Sequence, residues 1–468
     1  MIFSSVFFIF TFLPAMLLVY YIVPRKFKNF VLLAGSLIFY AWGEPVYIFL
    51  MVFSICFNYV CGMDIQRCRG RKKAALLNLI FAAAVNLFIL GFFKYYGFVV
   101  ENVNGIFGLH IPIQDLALPI GISFYTFQTM SYIIDVYRGV VDAQKNIVDF
   151  GLYVSMFPQL IAGPIVKYKD IAEQLKGRRE SFCKFGYGIS RFLQGLAKKV
   201  LIANTIGSVY QSINHLGLEQ LSVLSAWVGI LAFTFQIYFD FSGYSDMAIG
   251  LGQMFGFEFQ ENFDHPYVAR GITDFWRRWH ISLSTWFREY VYIPLGGNRK
   301  GSVRTIRNIL IVWLLTGLWH GASWNFVAWG LYYGILLLIE KFVLRKLLDK
   351  LPAVFVHVYT MFFVVIGWVL FASPDLPYAG RYLAAMFGQN GVPLADTAGI
   401  YYLFTNAVLF ALAAVCSTKA VQRLFQWLMF EGRKGRSKTA VALHLLIFVL
   451  CIAFLVTETY NPFLYFRF

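Results

Sequence analysis

Long apolar runs recur along the whole sequence and constrain its fold more than any other feature. Runs of roughly 20 residues have the length that a helix needs to cross the hydrocarbon core of a bilayer. Because lipid offers no hydrogen-bond partners, a spanning segment must satisfy its own backbone groups, as a helix does. Only 14% of the 468 residues are charged, whereas soluble domains have about 25%. The sequence therefore predicts an all-α polytopic membrane protein.

Basic clusters between the apolar runs indicate the orientation of the chain. The segments 25–28 and 67–73 are rich in Lys and Arg and flank a pair of apolar runs. Basic loops are retained on the cytoplasmic side, so both segments are assigned there. Counting from this frame predicts about eleven transmembrane helices with both termini outside. A further apolar run, 150–166, is interrupted by proline and glycine, which predicts a re-entrant segment.

The net charge and the cysteines exclude several classes of function. The formal charge is +16, and in a membrane protein such an excess reflects basic loops that face anionic lipid rather than nucleic acid. The six cysteines have no paired spacing and do not alternate with histidine. The sequence therefore predicts neither a metal site nor a disulfide framework.

One histidine lies deep inside an apolar run. The 31 residues of 309–339 include no formally charged residue and contain His320. A straight helix of this length would measure roughly 46 Å, against roughly 30 Å of hydrocarbon, so the run is predicted to be tilted, or broken near Gly317 and Gly321. Ionisable residues at membrane depth are functional candidates by default. A neutral, desolvated imidazole can accept a proton from a hydroxyl, which makes His320 the candidate catalytic base; a histidine satisfied by packing is the alternative.

The stretch WRRWHISLSTWFREYVYIPLGGNRKG at 276–301 is basic and aromatic. Large apolar residues recur at helical spacing and predict one amphipathic helix lying at the membrane interface: Trp276, Trp279, Leu283, Phe287 and Tyr290. Arginine binds phosphate through paired donors, so the candidate residues for an anionic ligand are Arg277, Arg278, Arg288 and Arg299. Contact with lipid headgroups is the alternative role of these arginines.

Three other ionisable residues are candidates. His280 lies among the arginines and is the second candidate histidine, oriented toward the entry of the ligand. Asp240 and Asp246 lie in the apolar run 224–251. For these two carboxylates, pairing with an arginine or capping a helix is as good an interpretation as catalysis.

Three strings resemble the membrane-bound O-acyltransferase (MBOAT) family, in its alginate and peptidoglycan O-acetyltransferase branch. They are FDFSGYSDMAIG, HPYVARGITDFWRRWHISLSTWFREYVYIPLGGNR and LTGLWHGASWNFVAWG. The similarity is dense over 238–330, and LPIGISFYTFQ and MFPQLIAGPIV extend it toward the N-terminus. The resemblance implies a single MBOAT domain over 1–468, with an active-site core at 117–340 around a central tunnel and an extracytoplasmic tail at 457–468.

The resemblance also implies an activity. His320 matches the active histidine of the family and His280 its second invariant histidine, and an acetyl group would move from cytoplasmic acetyl-CoA to an extracytoplasmic polysaccharide, with no metal or further cofactor. The ending NPFLYFRF resembles the short C-terminal motif of that branch, in which Tyr465 would accept the acetyl group as a phenolic ester and offer it to a separate extracytoplasmic acyltransferase. An interfacial aromatic anchor is the alternative role of Tyr465. The expected location is the bacterial cytoplasmic membrane.

Two other functions remain open at this point. One is transfer of D-alanine from a carrier-protein thioester to teichoic acid, within the same family. The other is a proton-coupled transporter or flippase that uses His320 and the aspartates as a proton relay. Transporters often contain inverted repeats, and no repeat is evident in the sequence.

Overall fold

The computed structural model describes residues 1–114, 116–161, 163–389, 391–430, 434–457 and 464. Every regular element in these ranges is a helix. The α-helices are α1 Leu13–Ile22, α2 Lys28–Gly43, α3 Ile48–Arg67, α4 Lys72–Phe107, α5 Ile122–Arg138, α6 Ile147–Ser155, α7 Phe157–Leu160, α8 Tyr168–Gly177, α9 Phe182–Ala197, α10 Thr205–Asn214, α11 Val223–Met254, α12 Ile272–Arg278, α13 Ile281–Phe287, α14 Ser302–His320, α15 Trp324–Ile339, α16 Arg345–Leu348, α17 Ala353–Ala372, α18 Leu376–Met386, α19 Thr397–Thr405, α20 Ala407–Cys416, α21 Lys419–Phe430 and α22 Lys434–Thr457. Short π-helical segments at Phe8–Phe12, Lys198–Asn204, Arg288–Tyr292 and Glu340–Leu344 continue several of them.

The all-α membrane architecture predicted from the apolar runs is confirmed. Among the described residues, six helical segments are long and apolar enough to cross a bilayer: Ile48–Arg67, Lys72–Phe107, Val223–Met254, Trp324–Leu348, Ala353–Ala372 and Lys438–Thr457. The pair α19 and α20, bent by 55°, makes a seventh if it is counted as one broken span. This number is below the predicted eleven because several predicted crossings fold as shorter helices, such as α1, α2 and α5 with 10, 16 and 17 residues.

Contacts between Cα atoms group the chain into two compact units. One unit comprises residues 1–192 and 245–260, and the other comprises 193–244 and 261–468. The helices α9 and α11 contribute residues to both units. The single domain predicted over 1–468 stays a prediction.

The first unit has an aromatic core and contains the interrupted segment 150–166. Its helices α6 and α7 are separated at Met156, and every residue from Phe150 to Leu160 is buried. Packing of this kind supplies the protein environment that a broken segment needs at membrane depth. The interruption is therefore present as predicted, whereas the re-entrant path stays a prediction.

In the second unit, α14 and α15 form an antiparallel hairpin with a very close contact. A Cβ atom at Gly317 would collide with the carbonyl oxygen of Phe326, and a Cβ atom at Gly330 would collide with the carbonyl oxygen of Trp313. Small residues allow the backbones of membrane helices to approach each other in this way. The two glycines therefore set the distance between the helices.

The break predicted beside His320 is present, but the chain turns back there instead of continuing across. His320 is the last residue of α14, and Gly321 is extended with φ −164° and ψ 155°. The two apolar helices are joined without a charged residue and therefore look like one long run in the sequence. For this reason the sequence is also compatible with a single tilted span. His320 consequently lies at the tip of the hairpin, and the basic residues Arg307 and Lys341 lie near its two open ends.

A substitution in the hairpin tests this contact. Gly317→Ala places a methyl group against a backbone oxygen that cannot move unless the helices separate, and we expect a loss of about 1–3 kcal/mol, which is typical of overpacking. The measurement is the Tm of the purified protein in detergent. The matched control is Gly91→Ala in α4, where a Cβ atom would meet nothing within 4 Å. Equal Tm values for the two variants would contradict the proposed contact.

Candidate active site

His280 lies at a sharp turn between two short helices. The sequence predicted one continuous interfacial helix over 276–290, and this prediction is wrong. The helix α12 ends at Arg278 and α13 begins at Ile281, and His280 between them has φ 46° and ψ 55°. Among the described residues, His265 and His280 are the non-glycine residues with positive φ. Strained backbone of this kind clusters at functional sites.

Asn262 interrupts the helix at His280, because it accepts hydrogen bonds from N–H groups that would bond within a continuous helix. Its backbone oxygen accepts a hydrogen bond from Ile281 N at 3.0 Å. Its side-chain oxygen accepts bonds from Ser282 N at 3.2 Å and from Ser282 Oγ at 2.9 Å. The apolar face predicted for a membrane surface is instead buried in the protein: Trp276, Trp279, Leu283, Phe287 and Tyr290.

The same asparagine determines the tautomer of His280. Asn262 Oδ1 lies 3.2 Å from His280 Nδ1, and the bond from Ser282 N identifies that atom as an oxygen, which only accepts. The proton of a neutral His280 is therefore on Nδ1, and Nε2 is an acceptor. Burial lowers the pKa of His280 to about 3, because desolvation disfavours the charged imidazolium. His280 is therefore neutral at physiological pH.

Glu340 fixes the start of the helix that precedes this turn. Its carboxylate accepts hydrogen bonds from Ile272 N at 2.6 Å and from Thr273 N at 2.9 Å. Thr360 Oγ1 accepts a third bond, from Gly271 N, at 2.7 Å. A carboxylate at a helix N-terminus satisfies exposed N–H groups and is favoured by the helix dipole. These bonds anchor α12, which contributes Trp276 and Arg277 to the site.

Aromatic rings surround the imidazole of His320. The ring centroids of Trp319 and Trp329 lie 5.0 Å from that of His320, and the centroid of Phe371 lies 5.3 Å away. Trp319 also contacts His280, at 5.8 Å between centroids. Both histidines are almost completely buried, with 3% of His320 and 1% of His280 exposed. One indole ring therefore lies against both candidate histidines.

A basic cavity opens beside α12 and α13, and we call it the arginine cavity. Its volume is about 970 Å³. Its charged lining residues are all basic: Arg277, Arg288, Arg299 and Lys300. The fourth predicted arginine, Arg278, does not line it and pairs with Asp264 at 3.2 Å and with Asp274 at 2.9 Å. The structure thus groups three of the four predicted arginines and assigns the fourth to an ion-pair network.

A smaller cavity, which we call the histidine cavity, joins the arginine cavity to the two histidines. Its volume is about 320 Å³, and both His280 and His320 line it. The two cavities share five lining residues: Trp276, Arg277, Ser284, Arg288 and Tyr292. The two cavities therefore adjoin, and His320 lies at the second of them.

A third cavity, which we call the Leu464 cavity, lies next to the aromatic rings that surround His320. It has a volume of about 500 Å³, and no Asp, Glu, Lys or Arg is among its lining residues, of which the polar ones are Tyr210, Gln211, Asn214, His215, Gln236, Ser323, Asn325 and Ser373. Phe371 lines this cavity and contacts His320. Leu464 also lines it, whereas Tyr465 falls outside the described residues.

The two candidate aspartates form ion pairs. Asp240 Oδ1 lies 2.6 Å from Lys199 Nζ, and Asp246 Oδ1 lies 2.7 Å from Arg191 Nη2. Neither aspartate lines one of the three cavities. Of the two interpretations of their role, the geometry favours pairing.

Several residues that build the site had no signal in the sequence. Asn262 is 18 residues from His280, and Phe371 is 51 residues from His320. Glu340 was visible only as a charge at the end of an apolar run. Of these three residues, only Asn262 belongs to a polar patch, and no pattern of spacing relates it to His280.

Known proteins resemble this chain closely. The profile of MBOAT, the membrane-bound O-acyltransferase family, matches residues 141–373. The probable alginate O-acetylase AlgI of Pseudomonas putida is 43% identical over 100% of both chains. The peptidoglycan O-acetyltransferase of Helicobacter pylori is 37% identical over 87% of this chain and 84% of its own. The teichoic acid D-alanyltransferase of Bacillus subtilis is 28% identical over 56% of this chain and 71% of its own.

The similarity to the Pseudomonas putida relative extends over the whole chain. The enzyme class and the multi-pass membrane character predicted from the sequence are therefore confirmed. The chain belongs to the membrane-bound O-acyltransferase family.

Proposed function

We propose that the protein transfers an acetyl group from cytoplasmic acetyl-CoA, across the bacterial cytoplasmic membrane, to a polysaccharide hydroxyl on the far side. The observation that carries this proposal is that the arginine cavity adjoins the histidine cavity, at which His320 lies. The relatives named for alginate and peptidoglycan O-acetylation align over 87% or more of this chain, which favours acetyl over D-alanyl as the transferred group.

The arginine cavity suits the nucleotide end of acetyl-CoA. Arg277, Arg288 and Arg299 are exposed and line a cavity without an acidic residue among its lining residues. Guanidinium groups bind phosphates through paired, charge-assisted hydrogen bonds. The less polar histidine cavity would then accommodate the pantetheine arm and bring the thioester to His320.

His320 is the proposed general base. When the acceptor hydroxyl attacks, its proton passes to the imidazole, a bond forms between its oxygen and the thioester carbonyl carbon, and the carbon–sulfur bond breaks. The proton then passes to the CoA thiolate, which regenerates neutral His320. The imidazolium formed in between lies within about 6 Å of three aromatic centroids, the range over which ring faces attract cations.

His280 and its partners play a supporting role in this scheme. The tautomer fixed by Asn262 directs an acceptor nitrogen, Nε2, away from the asparagine, and burial keeps the imidazole neutral. Such a group can orient a hydroxyl or an amide N–H of the pantetheine arm by accepting a hydrogen bond without competing with His320 for the proton. Trp319 maintains the distance between the two imidazoles.

The Leu464 cavity is the proposed acceptor side. Its amide and hydroxyl groups suit a neutral, hydroxyl-bearing acceptor, and Leu464 brings the chain next to Tyr465 into this cavity. Tyr465 would take the acetyl group as a phenolic ester and pass it to an extracytoplasmic acyltransferase that modifies the polysaccharide.

Replacement of the base tests the chemistry. We expect His320→Ala to lower acetyl transfer by about 10²–10⁴-fold, the usual contribution of a positioned general base. Transfer is measured as radiolabel moved from acetyl-CoA into polymer in membranes. His110→Ala is the control, because His110 is exposed and lines none of the three cavities. Full transfer by His320→Ala would exclude this role.

Replacement of two arginines tests the donor site. We expect Arg288→Gln with Arg299→Gln to raise the KM for acetyl-CoA by about tenfold or more, because each charged hydrogen bond is worth about 1.5–3 kcal/mol. Acetyl-pantetheine, which lacks the nucleotide phosphates, should show an unchanged KM. Arg304→Gln is the control, because Arg304 is exposed and lies outside the cavity. An equal effect on both donors would argue against phosphate binding.

Replacement of the phenol tests the relay. Tyr465→Phe should abolish acetyl label on the protein itself, because phenylalanine has no hydroxyl to esterify. The label is measured by intact mass spectrometry after incubation with acetyl-CoA. Persistence of the same label in Tyr465→Phe would show that another group accepts the acetyl.

A further inference from the structure

A buried ion pair in the second unit holds the end of the chain. Lys199 Nζ and Asp240 Oδ1 are 2.6 Å apart, and each side chain is 3% exposed. The second carboxylate oxygen, Asp240 Oδ2, accepts a hydrogen bond from Leu464 N at 2.9 Å. Leu464 follows Asp240 by 224 residues and is 8% exposed. A backbone group of the segment 457–468 is thus bound to the interior of the unit.

An ion pair this deeply buried is poor evidence for stability alone. Removing two charges from water costs about as much as their attraction returns, and apolar residues of similar volume often serve equally well. Buried pairs of this kind are best attested where they specify one arrangement among several. Here the Asp240 carboxylate has an additional partner, the backbone N–H of Leu464. A bond to a backbone group specifies which position of the chain lies at Asp240, whatever side chain that position carries.

We propose that Asp240, held by Lys199, is the docking site of Leu464 and fixes the register of the chain at this residue. With the N–H of Leu464 bound at Asp240, the residue that follows in the chain is Tyr465. Asp240 is accordingly a positioning residue, since it lines none of the three cavities and acts through the segment that it holds. The effect of Asp240 on acetyl transfer rests on the function proposed above, whereas the docking of Leu464 at Asp240 does not.

The docking is tested with two charge-neutral double variants. Replacing Asp240 alone would remove the carboxylate that pairs with the buried Lys199 and could unfold the protein, so Lys199→Met accompanies both changes. In K199M/D240N the amide oxygen can still accept the bond from Leu464 N. In K199M/D240L a side chain of similar size has no acceptor.

The readout is hydrogen–deuterium exchange of the Leu464 amide in the full chain in detergent, followed by mass spectrometry. We expect slow exchange in the natural protein and in K199M/D240N, and exchange about tenfold faster in K199M/D240L, as for a lost hydrogen bond of ordinary strength. The amides of the α14–α15 hairpin should exchange equally in all three proteins, which verifies the fold. Equal exchange of Leu464 in the two double variants, or unprotected exchange in the natural protein, would overturn the docking.

Acetylation of Tyr465 is then measured in the same three proteins. We expect it to fall about tenfold in K199M/D240L relative to K199M/D240N, in step with the exchange. Unchanged acetylation despite fast exchange would overturn the positioning role and leave the docking intact. Failure of the proposed function is distinguishable, because the natural protein would then show a protected Leu464 amide but no acetyl label.

Discussion

The contact between α14 and α15 determines the position of His320, the proposed catalytic base. Glycine at 317 and 330 brings the two backbones so close that no Cβ atom fits between them, and the chain must then turn sharply at the tip of the hairpin. His320 occupies that tip as the last residue of α14. The position of the imidazole thus follows from backbone contact, which is less easily deformed than contacts between side chains.

Physical reasoning from the sequence predicted what depends on composition and on local spacing. The membrane architecture follows from apolar runs, and the break beside His320 follows from a run too long for the bilayer. The hairpin did not follow, because the chain reverses at a turn without a charged or proline residue. The turn at His280 did not follow either, because a distant asparagine overrides the local helical pattern. Lys199 illustrates the same limit, since it follows Lys198 in the sequence with no sign of burial and is 2% exposed.

Charge is distributed unevenly around the site, and the distribution suits a reaction with one anionic and one neutral partner. The charged lining residues of one cavity are all basic, and amides, hydroxyls and a histidine line the other. Other charges near these cavities are neutralised locally: Arg278 pairs with Asp264 and Asp274, and Lys199 with Asp240. A charge that is paired in this way projects little field into a cavity. The residue types in the two cavities are therefore consistent with the proposed phosphate-bearing donor in one and the proposed hydroxyl-bearing acceptor in the other.

The helix α15 begins four residues after His320, and Glu340, directly after its last residue, caps α12. Because a helix is stiff along its axis, a shift of α15 that widened the tip of the hairpin would also draw this carboxylate away from Ile272 and Thr273. The arginine cavity is built in part on α12, so its shape would change in the same movement. A movement at the imidazole and a change in the shape of the arginine cavity are thereby linked through one stiff helix.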